Sequence, residues 1–203
     1  MKIIGIGYNY RKHVIETKKT FPKEPIFFLK PETAIILNNR PFFYPDFSKN
    51  VHYEVEILLR ICKVGKNIQE KFANTYFDKI GIGIDITARD LQDECKKNGL
   101  PWEKCKGFDG SAPISSFIKK EEFKNVNDIN FHLNINGKTI QKGNTDDLIF
   151  SFEKIISHVS KFMTLKIGDV IFTGTPAGIG PLNIGDKLEA FIEGNKMLSC
   201  MIK

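Results

Sequence analysis

The stretch from His52 to Leu59 (HYEVEILL) limits what the chain can fold into more than any other. Aliphatic and β-branched residues alternate with polar ones over its first half, a pattern that predicts a β-strand. Side chains alternate between the two faces of a strand, so Glu54 and Glu56 would point to one side and Val55 and Ile57 to the other. Two carboxylates on one dry face repel each other. The strand is therefore either a solvated edge strand or part of a metal site.

A second apolar stretch carries a single acid. Residues 80–86 (IGIGIDI) have the pattern of an apolar strand, and Asp85 is costly to bury there unless it is paired or bound to a cation. The next residues, 87–90, have the spacing of a capping box, which predicts that a helix starts there. The first turns of that helix would bring two polar side chains close to the acid, those of Arg89 and Gln92.

The composition is typical of one globular domain, residues 1–203. The chain is 41% hydrophobic and 27% charged, and no apolar run is long enough to span a membrane. The N-terminus has neither a secretory nor a transit signal. The four cysteines form no Cys-x-x-Cys pair, which favours reduced thiols over disulfides or a zinc site. We therefore expect a cytoplasmic protein that does not bind a membrane.

The formal net charge of +6 admits three interpretations. A basic surface can serve solubility alone, attract a small anionic substrate or bind nucleic acid. The lysines are scattered, without a long basic run and without aromatic residues interleaved at regular spacing. The pattern therefore favours solubility first, a small anionic molecule next and nucleic acid least, and we expect no nucleic-acid partner.

Near the N-terminus, an imidazole and a carboxylate have helical spacing. Asn9 can cap a short helix over residues 10–16, on which His13 and Glu16 would lie side by side. A carboxylate beside an imidazole orients it and raises its basicity, as a general base requires. An ordinary surface pair is the alternative, and this segment alone favours that alternative.

Turn signals and periodicity predict several further elements. Asn136-Gly137 predicts a hairpin, and residues 38–40 predict another. An apolar stripe predicts an amphipathic helix over residues 148–163. A strand that begins at residue 170 runs into a glycine-rich turn, residues 173–180, where the backbone can approach a ligand closely.

Five motifs follow one another along the chain: Glu54-Val55-Glu56, residues 83–92 (GIDITARDLQ), residues 106–109 (KGFD), residues 143–145 (GNT) and residues 173–180 (TGTPAGIG). In this order they resemble the fumarylacetoacetate hydrolase family, and the resemblance covers nearly the whole chain. More narrowly, the chain is similar to the small acylpyruvate hydrolases, the fumarylacetoacetate hydrolase domain-containing proteins. One departure is Tyr8, which stands where many relatives carry Arg and bears on substrate preference rather than on the chemistry.

The resemblance implies an α+β fold, a mixed β-sandwich or β-roll with a few peripheral helices, and a homodimer. It implies that three acids bind one divalent cation, namely Glu54, Glu56 and Asp85. Three hard oxygen ligands suit Mg²⁺ or Mn²⁺, and Ca²⁺ can substitute. Such a cation would also account for the two acids on one strand face and for the single acid in an apolar strand.

The resemblance also implies roles for other residues. The catalytic dyad of the family corresponds to His13 and Glu16, on a segment of about residues 8–25 that we expect to be a mobile lid, and its catalytic lysine corresponds to Lys106. Contacts with a small anionic 2-oxo acid substrate correspond to Lys30, Arg89, Gln92 and Thr175.

The reaction that the resemblance implies first is metal-dependent hydrolysis of 3-acylpyruvates, such as acetylpyruvate or fumarylpyruvate, to pyruvate and a carboxylic acid. His13, oriented by Glu16, would deprotonate the attacking water, and Lys106 would stabilise the oxyanion. The cation would stabilise the enolate of pyruvate.

The same site could instead decarboxylate oxaloacetate, interconvert its keto and enol forms, or isomerise 2-hydroxyhepta-2,4-diene-1,7-dioate. A non-catalytic basic binding module is a further alternative. The clustered acids argue against it, because a protein that binds polyanions gains nothing from grouped carboxylates.

Overall fold

Strands dominate the computed structural model, which describes all 203 residues. The strands are β1 (Ile3–Gly7), β2 (Ile26–Lys30), β3 (Ile35–Ile36), β4 (Val51–Tyr53), β5 (Val55–Ile61), β6 (Phe77–Ile84), β7 (Thr87–Ala88), β8 (Ala112–Pro113), β9 (Ile118–Lys119), β10 (Asn130–Ile135), β11 (Lys138–Asn144), β12 (Val170–Phe172), β13 (Gly180–Pro181), β14 (Lys187–Ile192) and β15 (Asn195–Met201). The helices are α1 (Arg11–Glu16), α2 (Glu70–Ala73), α3 (Arg89–Asn98), α4 (Glu103–Lys106) and α5 (Phe152–Phe162). None of these helices combines the length and the apolar character that crossing a bilayer requires.

The strands form two main sheets and two small ones. The larger main sheet has six strands in the order β2-β1-β12-β5-β6-β9, and the other has four in the order β11-β10-β14-β15. In the six-stranded sheet β1 and β12 run parallel, whereas the other neighbours are antiparallel. The small sheets are β13-β4-β7 and β3-β8.

The two main sheets pack face to face around one apolar core. Strand β10 contacts β5, and β14 and β15 contact β6. The main core cluster accordingly takes Ile57 and Ile82 from one sheet and Leu133 and Leu198 from the other, and helix α5 adds Phe152. Short helices lie at the periphery, so the architecture confirms the predicted α+β fold with its β-sandwich.

The strand predicted around the two glutamates is present but interrupted. Strand β4 ends at Tyr53 and β5 begins at Val55, and the two strands belong to different sheets. Beyond this break Val55 and Ile57 join the main core, whereas Leu58 joins a smaller cluster on the opposite face. The predicted alternation is therefore confirmed in β5, and Glu54 lies where the chain passes between sheets.

Of the two predicted hairpins, one is confirmed and one is wrong. Strands β10 and β11 pair across Asn136-Gly137, whose φ angles of 51° and 81° are the left-handed values that a tight two-residue turn requires. Residues 38–40 do turn, but the strands on either side do not pair with each other. Strand β3 pairs with β8, and Phe42 forms a bridge with Ile202, so distant partners replace the local one.

Both predicted helix caps are wrong, because each side chain has a tertiary role instead. Helix α1 begins after Tyr10 without a side-chain cap, while the Asn9 amide bonds to the backbone of distant loops. Thr87 lies in β7, and α3 begins at Arg89 without a side-chain cap. Asp90 instead accepts one hydrogen bond from the Ser48 hydroxyl and one from the Lys49 amide. The helices nevertheless start within about two residues of the predicted positions, as helix boundaries allow.

Candidate metal and active site

Three buried acids meet where β5 begins and β6 ends. Glu54, Glu56 and Asp85 each offer one carboxylate oxygen, and these atoms lie within 4.8 Å of one another. The antiparallel register of β5 and β6 pairs Val55 with Ile84, which brings Asp85 alongside the break at Glu54. A hydrogen bond of 2.8 Å from the Asp85 amide to the Glu54 carbonyl fixes this approach. The structure thus brings together the three residues predicted to bind the cation.

Lys106, at the end of α4, bridges two of the acids. Its ammonium donates to Glu54 Oε2 at 2.9 Å, to Asp85 Oδ2 at 2.5 Å and to Thr87 Oγ1 at 2.5 Å. Arg89 forms an ion pair with the other oxygen of Glu54. Burial alone would raise the pKa of the Glu54 carboxyl, but the charges of Lys106 and Arg89 overcome this effect and lower it. Glu54 is therefore ionised.

The other two acids differ in their partners, because Asp85 is paired with lysines and Glu56 is not. Glu56 forms no ion pair, and its one donor is the Gly174 amide at 2.6 Å. Burial, with the charges of Asp85 and Glu54, raises the pKa of Glu56 well above its ordinary value. Asp85 Oδ1 is buried and forms an ion pair with Lys30, whose Nζ atom lies 2.7 Å away. Such oxygens fit a hard divalent cation, and the acids fit the ion that the sequence predicts.

The turn after β12 supports Glu56 through its backbone. Gly174 has a φ of +106°, and a Cβ atom at this position would lie 2.8 Å from the Cβ of Asn9. Only glycine combines this conformation with so close an approach. The glycine-rich turn therefore does approach the site closely, as predicted, and it presents an N–H group to a carboxylate.

The predicted dyad lies on α1 and faces the acids. His13 is buried, and its Nδ1 lies 3.4 Å from Glu16 Oε2, while Glu16 Oε1 accepts from the Gly178 amide at 3.0 Å. Burial lowers the pKa of His13, although Glu54 and Glu16 oppose this effect. The imidazole is therefore neutral at pH 7 and able to accept a proton. That residues 8–25 form a mobile lid stays a prediction.

One polar cavity joins these groups. All of the predicted site residues line it except Glu16, which supports His13 from outside, and Lys30. The Lys30 ammonium donates to the carbonyl oxygens of Lys106 and Ser111, at 2.5 and 3.0 Å, and is almost completely buried. Because Lys30 lies behind Asp85, its position favours a structural role, in which it stabilises that acid and the Lys106 backbone. The predicted contact of Lys30 with the substrate stays a prediction.

A comparison with known protein families assigns the chain to the family that the five motifs indicate. The family described as "Fumarylacetoacetate (FAA) hydrolase C-terminal" matches residues 2–202. The chain belongs to this family. The resemblance predicted from the five motifs is thereby confirmed.

Relatives within the fumarylacetoacetate hydrolase family cover almost the whole chain. Oxaloacetate tautomerase FAHD1 of cattle, a mitochondrial protein, is 42% identical over 95% of this chain and 87% of its own length. Oxaloacetate tautomerase YcgM of Escherichia coli is 40% identical over 97% of this chain and 90% of its own length. Among solved structures, fumarylpyruvate hydrolase from Pseudomonas aeruginosa, in complex with Mn²⁺ and pyruvate, has a TM-score of 0.94 and 32% identity, and covers 100% of this chain and 89% of that one.

Sequence reasoning missed several of the residues that line the cavity of the present protein. Lys96, Trp102 and Phe28 line it beside the predicted residues, together with Tyr8, which the sequence already relates to substrate preference. Lys96 had a usable signal, because it follows Gln92 by four positions and so shares its face of α3. The three aromatic residues come from separate segments, and no local pattern indicates that they meet.

Proposed function

We propose that the protein is a divalent-metal-dependent oxaloacetate tautomerase, which interconverts the keto and enol forms of oxaloacetate. The observation that carries this proposal is that two full-length relatives from organisms as distant as cattle and E. coli are both named oxaloacetate tautomerase. The reaction is one of the alternatives that the sequence leaves open beside acylpyruvate hydrolysis, and the relatives favour it over hydrolysis.

Tautomerisation requires one group to take a proton from carbon 3 and another to place a proton at the 2-oxo oxygen. No carbon–carbon bond breaks and no water attacks. The site must therefore hold a small dianion, orient a neutral base toward one of its carbon atoms and direct a cationic donor toward one of its oxygens.

Arg89 is placed to bind a carboxylate of the substrate. Its Nε atom is buried in the structure without a hydrogen-bonding partner, although the end of its guanidinium pairs with Glu54. A buried N–H donor without a partner is costly, and a substrate carboxylate would satisfy it. Gln92 and Thr175 line the same cavity and complete the predicted set of contacts.

Lys106 is placed to act at the 2-oxo oxygen. Burial alone would lower the pKa of its ammonium, but the charges of Asp85 and Glu54 raise it, so Lys106 stays protonated. A divalent cation bound by Glu54, Glu56 and Asp85, such as the Mn²⁺ of the P. aeruginosa relative, would supply Lewis acidity at that oxygen. Lys106 would donate a hydrogen bond to the same oxygen and stabilise its negative charge.

His13 is the base in this proposal. It is neutral, lines the cavity and is oriented through Nδ1 by Glu16, so Nε2 is free to accept the proton from carbon 3. Lys106 would pass a proton to the enolate oxygen, which gives the neutral enol, and proton exchange with solvent would return His13 to its neutral form and Lys106 to its charged form. Formation of the keto form reverses these transfers.

Hydrolysis of acylpyruvates is the second candidate. A specific observation favours it, because the P. aeruginosa structure with nearly the same fold is named a fumarylpyruvate hydrolase. The His13–Glu16 dyad would then activate a water molecule instead of a carbon-bound proton. The residues are the same in both candidates, so substrates must distinguish them.

The deciding experiment compares substrates on one protein preparation. The Mg²⁺-loaded enzyme is given enol-oxaloacetate, and its ultraviolet absorbance is followed, while pyruvate release is measured from oxaloacetate, acetylpyruvate and fumarylpyruvate. We expect accelerated loss of the enol, abolished by EDTA and by His13→Ala. Pyruvate release from fumarylpyruvate without any acceleration of tautomerisation would instead establish the hydrolase.

The homodimer and the cytoplasmic location stay predictions. We propose the dimer on the family resemblance, and sedimentation velocity at several protein concentrations would test it. One relative is named as mitochondrial, so fractionation of the cells that produce the protein is the direct test of its location.

A further inference from the structure

Helix α3 presents three polar side chains to the cavity at helical spacing. Arg89, Gln92 and Lys96 are separated by three and four positions, so they lie on one face, and all three line the cavity. Gln92 Oε1 joins them, because it accepts hydrogen bonds from both Arg89 and Lys96. The basic residues at the two ends of this row differ in what balances their charge.

Every other cationic group at the site is already paired with an acid. Arg89 pairs with Glu54, Lys106 pairs with Glu54 and Asp85, and Lys30 pairs with Asp85. Lys96 forms no ion pair, and its hydrogen bond of 2.8 Å goes to the neutral oxygen of Gln92. Lys96 is therefore the cavity-lining lysine without a direct ion pair, although the charges of Asp93 and Glu54 act on it from a distance.

Two aromatic rings hold this ammonium at the cavity. Lys96 Nζ lies 5.8 Å from the ring centroid of Tyr8 and 5.7 Å from that of Trp102, within the range of cation–π contacts. Burial, together with the charge of Arg89, lowers the pKa of Lys96 to about 8. The ammonium is thus charged at pH 7 but partly removed from water, a state that a bound anion would stabilise.

We propose that Lys96 binds the distal carboxylate of the substrate and makes the site selective for 2-oxo and 2-hydroxy dicarboxylates over the corresponding monocarboxylates. The inference rests on the proposed function, because oxaloacetate carries such a second carboxylate. Arg89 binds the carboxylate next to the reacting carbonyl, and Lys96 lies farther along the same helix face. Tyr8 and Trp102 form the apolar sides of the subsite and limit access of water to the ion pair.

The test compares two stable ligands that differ only in the distal carboxylate. L-malate and L-lactate share the 2-hydroxy acid end, and their binding to Mn²⁺-loaded protein is measured by calorimetry after excess metal has been removed. We expect the wild-type protein to bind malate roughly ten- to one-hundredfold more tightly, as a hydrogen bond between charged groups allows. Lys96→Met should bind malate no better than lactate and should leave lactate binding unchanged.

Two variants complete the design. Lys96→Arg keeps the charge and should retain a preference for malate. Lys97→Met removes an exposed lysine from the neighbouring position and should behave as wild type, which controls for net charge. Equal loss of both ligands in Lys96→Met would show a structural role and overturn the proposal, as would a wild-type protein without a preference for malate.

The result is independent of turnover. Suppose that the wild-type protein prefers malate but does not tautomerise oxaloacetate, and that Lys96→Met abolishes this preference. The proposed function would then be wrong, and the dicarboxylate subsite would stand.

Discussion

His13 and Glu16 determine the pH dependence expected of turnover. Burial lowers the pKa of His13 from its ordinary value of 6.5, so the reactive neutral form persists below neutral pH and is lost as the pH falls through this lowered pKa. Glu16 opposes the shift through its hydrogen bond and charge. Glu16→Gln should therefore move the acid limb of kcat/KM to lower pH and, because the imidazole becomes less basic, lower the plateau about tenfold.

A pH series of kcat/KM for enol-oxaloacetate checks this expectation. Glu24→Gln, which alters an exposed acid outside the cavity, is the matched control and should leave the profile in place. An acid limb that moved to higher pH in Glu16→Gln would contradict the assignment of His13 as the base.

Glu54 and Glu56 are two residues apart, yet their substitutions should differ greatly in their effect on the stability of the metal-free protein. Glu54→Gln leaves Arg89 and Lys106 without their shared carboxylate and should lower the free energy of unfolding by about 3–5 kcal/mol. Glu56→Gln removes a carboxyl without an ion pair and should leave stability nearly unchanged while weakening Mn²⁺ binding about a hundredfold. Urea unfolding and metal titration test both, and equal destabilisation by the two variants would contradict the charge distribution described here.

The sequence identifies the acids of the site but not the residues that balance their charges. Glu54, Glu56 and Asp85 stand out because acids in apolar strands need compensation wherever the strands lie. The partners that compensate Glu54 could not be identified in this way, because Lys106 and Arg89 come from α4 and α3. Lys96 could have been found from its helical spacing to Gln92, but its significance depends on which other cations are already paired, and the sequence does not show this.

Among the elements, the connection between β1 and α1 depends on Asn9. Its amide donates to the carbonyls of Thr173 at 2.8 Å and Phe150 at 3.1 Å, and its oxygen accepts from the Phe150 amide at 2.8 Å. Asn9→Ala removes all three bonds from a buried position and should lower the free energy of unfolding by about 2–4 kcal/mol. It should also lower kcat, because this connection leads directly into the helix that carries His13.

Chemical denaturation with steady-state kinetics measures both effects. Asn9→Asp keeps the acceptor but places a buried carboxylate oxygen against the carbonyls of Thr173 and Phe150, and should destabilise the protein at least as much as Asn9→Ala. Wild-type stability in Asn9→Ala would show that the loops are held by other contacts.

The predicted caps and hairpins differ in outcome for a physical reason. The Asn136 side chain bonds to Asp186 and to the Lys187 amide, but these bonds are compatible with the left-handed φ angles that Asn136-Gly137 prefers, so the turn forms as predicted. Asn9 and Asp90 also have good local propensities, but loops distant in sequence bind their side chains. Local signals thus succeed at exposed turns and fail where the core and the site recruit the same residue types.

At the scale of the molecule, the fold class could be predicted but the sheet order could not. The family that the five ordered motifs resemble implies an α+β sandwich, and the alternating strands and the amphipathic helix are consistent with it. The pairing of β1 with β12 joins Ile3 to Val170, and nothing in either strand specifies the other. Such pairings depend on the whole set of strands, and family resemblance supplied what local physics could not.

The metal should stabilise the whole molecule, because its three acids tie β5 to the chain that follows β6. A cation that binds only the folded state adds about 2.7 kcal/mol at a hundred times its Kd. For a chain of this size each kcal/mol raises Tm by about 2–4 °C, so a shift of about 5–10 °C is expected on adding Mn²⁺ to EDTA-treated protein. Calorimetric melting measures it, with Glu56→Gln as the variant that should show little shift. Because Glu56→Gln retains the ion pairs of Glu54, an equal shift in that variant would place the stabilising cation elsewhere on the protein.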